Sequence, residues 1–230
     1  MKGLTRYRKG DWANLEYEYD GLPVKVEGAR FLGRGHFTSA FQADGAVILF
    51  SLGDTGKECL ADRWLDPVNE HVPRLTIVGR MDGPRNSEYD YSVYRMPFYR
   101  DITPQDKVAW GQYRILKKLR NEAFRESKRR FNQPPRGWSA SFMGVDVNWR
   151  LIESARDKLP EDLVAALEQM QNAAANYGSG MIFDDFRKAN LGLTDSGLLV
   201  LRDVLFDADR AEREFMERYK RRQCRIPVWA

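Results

Sequence analysis

Cysteine and histidine are scarce in this chain of 230 residues: there are two of each, Cys59 and Cys224, His36 and His71, widely separated along the sequence. Two isolated thiols and two isolated imidazoles make neither a disulfide framework nor a tetrahedral ligand set, so zinc chemistry is not expected. Long apolar runs are missing as well. The longest, such as Ala-Val-Ile-Leu-Phe at 46–50, falls far short of the roughly 20 residues that cross a bilayer. The opening Met-Lys-Gly-Leu-Thr-Arg-Tyr-Arg-Lys has no apolar signal core, and the expected location is therefore the cytoplasm, with no membrane partner. Internal repeats and low-complexity tracts are absent.

What is present is a globular composition. With 43% hydrophobic and 30% charged residues, the chain has material for one domain or two small lobes around a real core. Its net charge of +4 is unevenly spread. Lys117, Lys118, Arg120, Arg125, Lys128, Arg129 and Arg130 crowd one segment, and Arg218, Lys220, Arg221, Arg222 and Arg225 crowd another. Such clusters meet nucleic acid or an acidic protein in some chains. Glu122, Glu126, Glu212, Glu214 and Glu217 are interleaved with them, the pattern of a solvated helix face.

The most informative stretch is 181–209. Asp185 and Asn190 stand five apart, Leu191 and Leu193 follow, the segment 194–197 has turn composition, and 198–201 leads into Asp203. This reads as a loop, a short strand, a hairpin turn and a second strand ending at a carboxylate. Phosphoryl transfer needs those residue types: a carboxylate to orient the attacking hydroxyl, and oxygen ligands to hold Mg²⁺ against phosphates. Asp185 is the candidate for the first role, Asn190 and Asp203 for the second. Asp, Asn and Gly are also ordinary turn residues, so the spacing alone does not separate a site from a loop.

Upstream, residues 1–30 are polar and aromatic-rich, with a short strand expected at 24–26. The run Arg30-Phe31-Leu32-Gly33-Arg34-Gly35-His36-Phe37-Thr38-Ser39-Ala40-Phe41 reads as strand, glycine loop, strand. Gly33 and Gly35 let backbone amides approach phosphate oxygens; a plain hairpin is the alternative. Asp44-Gly45 predicts a tight turn joining strands at 38–43 and 46–52. A short helix over 54–65 follows, then strands after residue 74 and over 89–96, with 94–97 breaking the sheet. Helical periodicity starts after Pro104: 108–131 is amphipathic, 149–155 is a short helix, and 161–177 is framed by Pro160 and Gly178. A charged helix over 207–222 is expected last.

In that order, from about Phe31 to Phe206, the chain resembles the protein-kinase-like superfamily. Its glycine loop and the run Phe-Asp-Asp-Phe-Arg-Lys-Ala-Asn are most similar to the early serine/threonine protein kinases of short-tailed bacteriophages. The resemblance implies an α+β, two-lobed fold: a small antiparallel-sheet lobe (1–97) and a mostly helical second lobe (98–230), cut short after the metal-binding strand. It implies ATP and Mg²⁺ as cofactors and transfer of the γ-phosphate to hydroxyls of host proteins. Asp185 would orient the acceptor, and Arg187 or Lys188 would steady the γ-phosphate. Gly33, Arg34, Gly35 and Thr38 would cover the phosphates, the 94–96 connector, with Tyr94 and Met96, would hold adenine, and Asn190 and Asp203 would bind metal.

Four departures stand beside this. The third-strand lysine of such kinases falls near Leu49, with Arg34 or Lys57 as substitutes elsewhere. Phe183-Asp184 replaces the His-Arg before the catalytic Asp, and Val204-Leu205 replaces the Phe-Gly after the metal Asp. Only residues 204–230 follow Asp203, too few for an activation loop and substrate platform of the usual form. A kinase-shaped, non-enzymatic binder and inhibitor of a host factor is the alternative expectation.

Overall fold

The computed structural model describes residues 29–34, 37–61, 69–81, 90–130, 140–177, 180–184, 186–210 and 213. The fold is α+β. Strands β1 (Arg30–Arg34), β2 (Thr38–Ala43), β3 (Ala46–Leu52), β4 (Thr76–Met81) and β5 (Tyr91–Pro97) form an antiparallel sheet in the order β1-β2-β3-β5-β4. The β2–β3 turn puts Asp44 and Gly45 at φ 49° and 70°. Asx-Gly pairs tolerate that left-handed geometry, and its twist matches that of the flanking strands.

Helix α1 (Thr55–Ala61) is inserted between β3 and β4. Beyond the sheet come α2 (Lys107–Arg130), α3 (Ala140–Ala155) and α4 (Glu161–Tyr177). Two small two-stranded sheets follow. One pairs β6 (Met181–Phe183) with β9 (Leu205–Asp207), and the other pairs β7 (Gly192–Leu193) with β8 (Leu199–Val200).

The principal core joins Leu116 and Leu119 of α2, Leu151 and Ile152 of α3, and Leu163, Leu167 and Met170 of α4. Cys59 and Leu60 of α1 belong to the same cluster. The short helix is thus anchored on the helical part while its first turn stays beside the sheet. The chain leaving β5 is also stitched to the β7–β8 hairpin. The Arg100 N–H donates to the Leu193 carbonyl at 3.0 Å and the Leu193 N–H donates to the Arg100 carbonyl at 2.9 Å.

Several expectations are corrected. The sheet does not break at 94–97: β5 pairs with β3 as far as Ala46 opposite Pro97, so Tyr94 and Met96 are buried strand residues rather than connector. Helix α3 begins at Ala140, not near Trp149. The segment opening at Met181, read as loop, is β6, and its partner β9 runs through Asp207, where the last helix was expected to begin. Helical geometry begins only at residue 208. The expected strand at 24–26 and the second basic cluster lie outside the described residues.

Candidate functional site

The site is built where α1 meets the hairpin of β7 and β8. Gly53, at φ 56°, turns the chain out of β3 into α1, and the first turn of that helix carries Lys57 inward. The Lys57 side chain is 7% exposed, and its Nζ lies 2.7 Å from Asp54 Oδ2 and 2.9 Å from Asp203 Oδ1. One cation thus bridges a carboxylate beside the sheet and a carboxylate 146 residues beyond the lysine itself. The sheet side is extended by β2 and β3: the Thr38 hydroxyl donates to Asp54 Oδ2 at 3.1 Å and also contacts the Ser51 hydroxyl. A continuous polar chain runs Thr38, Asp54, Lys57, Asp203.

The electrostatics follow from that geometry. Burial works against the charge on both Asp54 and Lys57. For Asp54, the Lys57 ammonium and hydrogen bonds from Lys57 and Thr38 outweigh burial and hold the carboxyl below its ordinary range. For Lys57, the two carboxylates outweigh burial, Asp203 most, and the ammonium loses its proton less readily than usual. Asp203 differs from its partners in exposure: its side chain is 47% exposed and faces solvent beyond the lysine.

Asn190 lies next to this group through the backbone, because the Asp203 N–H donates to the Asn190 carbonyl at 2.9 Å. Its side-chain amide donates to Asp184 Oδ2 at 3.1 Å, and the Asp184 N–H donates to the Val204 carbonyl at 2.8 Å. Arg202 braces the same turn, donating to the carbonyls of Ala189 at 2.6 Å and Tyr99 at 3.3 Å. Asn190, Asp203 and Asp184 are therefore gathered by backbone bonds between neighbouring segments and by one guanidinium.

The remaining predicted residues divide. Thr38 joins the network. Gly33 is a strand residue opposite Ala40 beyond a bulge in β1, and a Cβ added there would meet nothing within 4 Å. Arg34 pairs through its backbone with Ser39. Arg187 precedes the 3₁₀ turn of Lys188–Asn190, and both Arg187 and Lys188 are exposed. Gly35 and Asp185 lie outside the described residues. Tyr94 and Met96 are buried in an apolar cluster with Val47, Leu49, Tyr99 and Val200.

Leu49, at the position of the expected lysine, pairs across the sheet with Ala40 and Tyr94. The adjacent residues of α1 are sorted by side: Lys57 faces the carboxylates, while Glu58 accepts from the Tyr177 hydroxyl at 2.8 Å and the Ser92 hydroxyl at 3.4 Å. Asp54 and Arg202 belong to no motif in the sequence, and Asp184 stood out there only as a departure from the kinase pattern. An Asp three residues before a Lys at the start of a helix was the available signal for Asp54.

Chemically, the group combines a fixed cation, a half-exposed carboxylate and an amide oxygen, all hard donors suited to Mg²⁺ in the case of the two oxygens. Among the described residues no set of three His, Cys, Asp or Glu side chains is placed to hold a metal by itself. No helix of the described residues is long and apolar enough to cross a membrane. No protein-family model matches the chain, and a search of the curated proteins finds no match.

Proposed function

We propose that this chain is a minimal protein-kinase-like phosphotransferase that binds Mg-ATP between its sheet and its helical part and transfers the γ-phosphoryl group to a protein hydroxyl. The observation that carries the reading is the buried ammonium of Lys57 held on Asp203, beside Asn190. Catalysis of phosphoryl transfer is mostly positioning plus charge stabilisation, so a cation fixed next to the metal-binding carboxylate is the part whose loss would matter most. Leu49 cannot supply it. Lys57 reaches the same carboxylate from α1, which gives the substitute position a structural rationale.

In this reading Asp203 and the Asn190 side chain would hold Mg²⁺, whose chemistry is to neutralise charge on the β- and γ-phosphates. Lys57, itself held by Asp54, orients the Asp203 carboxylate. Asp185 orients the acceptor hydroxyl and takes its proton as the bond from the γ-phosphorus to the ADP oxygen breaks and the bond to the acceptor oxygen forms. Arg187 or Lys188, both exposed on the adjacent turn, would steady the γ-phosphate. The order of glycine segment, five strands with one inserted helix, helices and Asp-Asn-Asp hairpin supports the two-lobed, kinase-like arrangement.

One observation favours the second reading, a kinase-shaped binder of a host factor: Val47, Leu49, Met96, Tyr99 and Val200 pack on one another where adenine would lie. A thermal-shift titration separates the two. A ligand at one hundred times its dissociation constant stabilises the folded state by roughly 2.7 kcal/mol, a shift of roughly 5 to 10 °C for a domain of this size. The phosphotransferase reading expects that shift with Mg-ATP, its loss in Asp203→Ala, and label transfer from γ-labelled ATP. An unshifted melting curve at millimolar Mg-ATP would leave the binder.

A further inference from the structure

We infer that the solvent face of α2 is a binding surface for single-stranded nucleic acid. Residues 110, 113, 114, 117, 118 and 125 recur at helical spacing, so Trp110, Tyr113, Arg114, Lys117, Lys118 and Arg125 share one face. Together they line a concavity of about 630 Å³. The opposite face, with Ala109, Leu116, Leu119 and Ala123, is buried in the core. The helix is thus fixed in place by one side and presents the other.

The chemistry of that face is mixed in a particular way. Trp110 and Tyr113 are partly buried against the core, and their rings lie 5.2 Å apart, tilted by 54°. The Lys117 ammonium stands 6.0 Å over the Tyr113 ring. Four cations run from Arg114 to Arg125, roughly 16 Å along the axis at 1.5 Å per residue. One carboxylate shares the lining, Glu122, and it pairs with Lys118 at 3.8 Å. Glu126, the other acidic residue nearby, is drawn away to Arg150 at 3.4 Å. The face therefore keeps a net positive charge.

A row of cations alone would suit any polyanion. Flat rings set at one end of the row select for a ligand that carries both phosphates and planar faces, because stacking on aromatic side chains is what single strands offer and acidic peptides lack. A single strand tracking α2 would place phosphates on Arg114, Lys117, Lys118 and Arg125 and stack a base at Trp110 and Tyr113. Sequence preference is not expected, since every base has a face to stack.

The test is fluorescence anisotropy of the full chain with a labelled twelve-nucleotide oligothymidylate and its RNA counterpart. Four phosphate contacts predict a log–log salt slope of about −3, so affinity falls roughly 50-fold between 50 and 200 mM salt. Lys117→Glu with Lys118→Glu should weaken binding at least tenfold and flatten the slope. Trp110→Ala should weaken it about fivefold or more with the slope unchanged, because stacking releases no counterions. If Trp110→Ala lowers the melting temperature, Tyr113→Leu serves in its place. Absence of binding at tens of micromolar protein overturns the inference, as does wild-type affinity in the double-lysine variant. Poly-glutamate binding equally tightly, indifferent to the aromatic variants, would assign the face to an acidic protein instead. None of these outcomes bears on Mg-ATP binding, which involves other residues.

Discussion

Gly56 of α1 lies against the main chain of Leu205 in β9: a Cβ at Gly56 would fall 2.3 Å from the Leu205 carbonyl oxygen and 2.9 Å from its carbon. Backbone atoms cannot rotate aside as a side chain can. The contact sets how closely α1 approaches the β6–β9 pair, and with it where Lys57 meets Asp203. Gly56→Ala should therefore destabilise the fold by about 1–3 kcal/mol, the usual range for overpacking. If the proposed Mg-ATP site exists, the same change should abolish the thermal shift given by Mg-ATP more completely than its own stability loss explains. An unchanged urea midpoint in the Gly56→Ala variant would show that α1 and β9 are free to separate.

Removing the central cation should be costlier. Lys57→Met leaves Asp54 almost fully buried with only hydroxyl and amide partners, and breaking a buried pair from one side typically costs about 3–5 kcal/mol. The Asp203 part of that figure is small, because its half-exposed carboxylate regains solvent. Adding Asp54→Asn to Lys57→Met should restore part of the loss, giving a non-additive cycle by urea unfolding. Strict additivity would mean that the two groups do not act as a pair.

The same network fixes a pH dependence. Asp54 is lowered in the folded state, so its contribution is present above the ordinary carboxylate value of about 3.9 and is lost as pH falls through the lower folded value. Lys57 is raised, so its contribution is complete below the ordinary lysine value of about 10.4 and fades only at higher pH. The stability gap between wild type and Asp54→Asn should be constant from about pH 6 to 9 and shrink below roughly pH 4. A gap that persists unchanged to pH 3 would contradict the assignment.

Inside the helical part, Asn148 couples α3 to both α4 and β6. Its side-chain amide donates to Gln171 Oε1 at 2.5 Å, and its Oδ1 accepts from the Phe183 N–H at 3.0 Å. Asn148→Leu orphans two buried polar groups, each worth about 1–3 kcal/mol. The accompanying sign is local: amide exchange at Phe183 should accelerate more than at the centre of α4. Equal acceleration everywhere would indicate only a general loss of stability.

Much of the scaffold was legible because it is encoded locally. Asp44-Gly45 specifies its turn through backbone conformation, and Pro160 with the run Leu163, Leu167, Met170 specifies α4 through a start signal and a repeat. Tertiary pairing decided what was missed. Met181-Ile182-Phe183 is too short and uniformly apolar to show a period, and it becomes β6 only because Leu205–Asp207 arrives beside it. The early half of α3 is hidden by Gly144, a poor helix former that is required there because a Cβ would meet Ile182 Cγ2 at 2.3 Å. Within the candidate site, Asn190 and Asp203 were visible through their spacing. Asp54 and Asp184 were not, because a single carboxylate announces a role only once folding brings it beside Lys57 or Asn190.

The double stitch between Arg100 and Leu193 has a mechanical corollary. Two short backbone bonds lock the exit of β5 to the hairpin carrying the Asn190 and Asp203 ends, and Arg202 adds a third tie through the Tyr99 carbonyl. Any rocking of the sheet over the helices must work against this riveted corner, where three hydrogen bonds hold the exit of β5 to the hairpin.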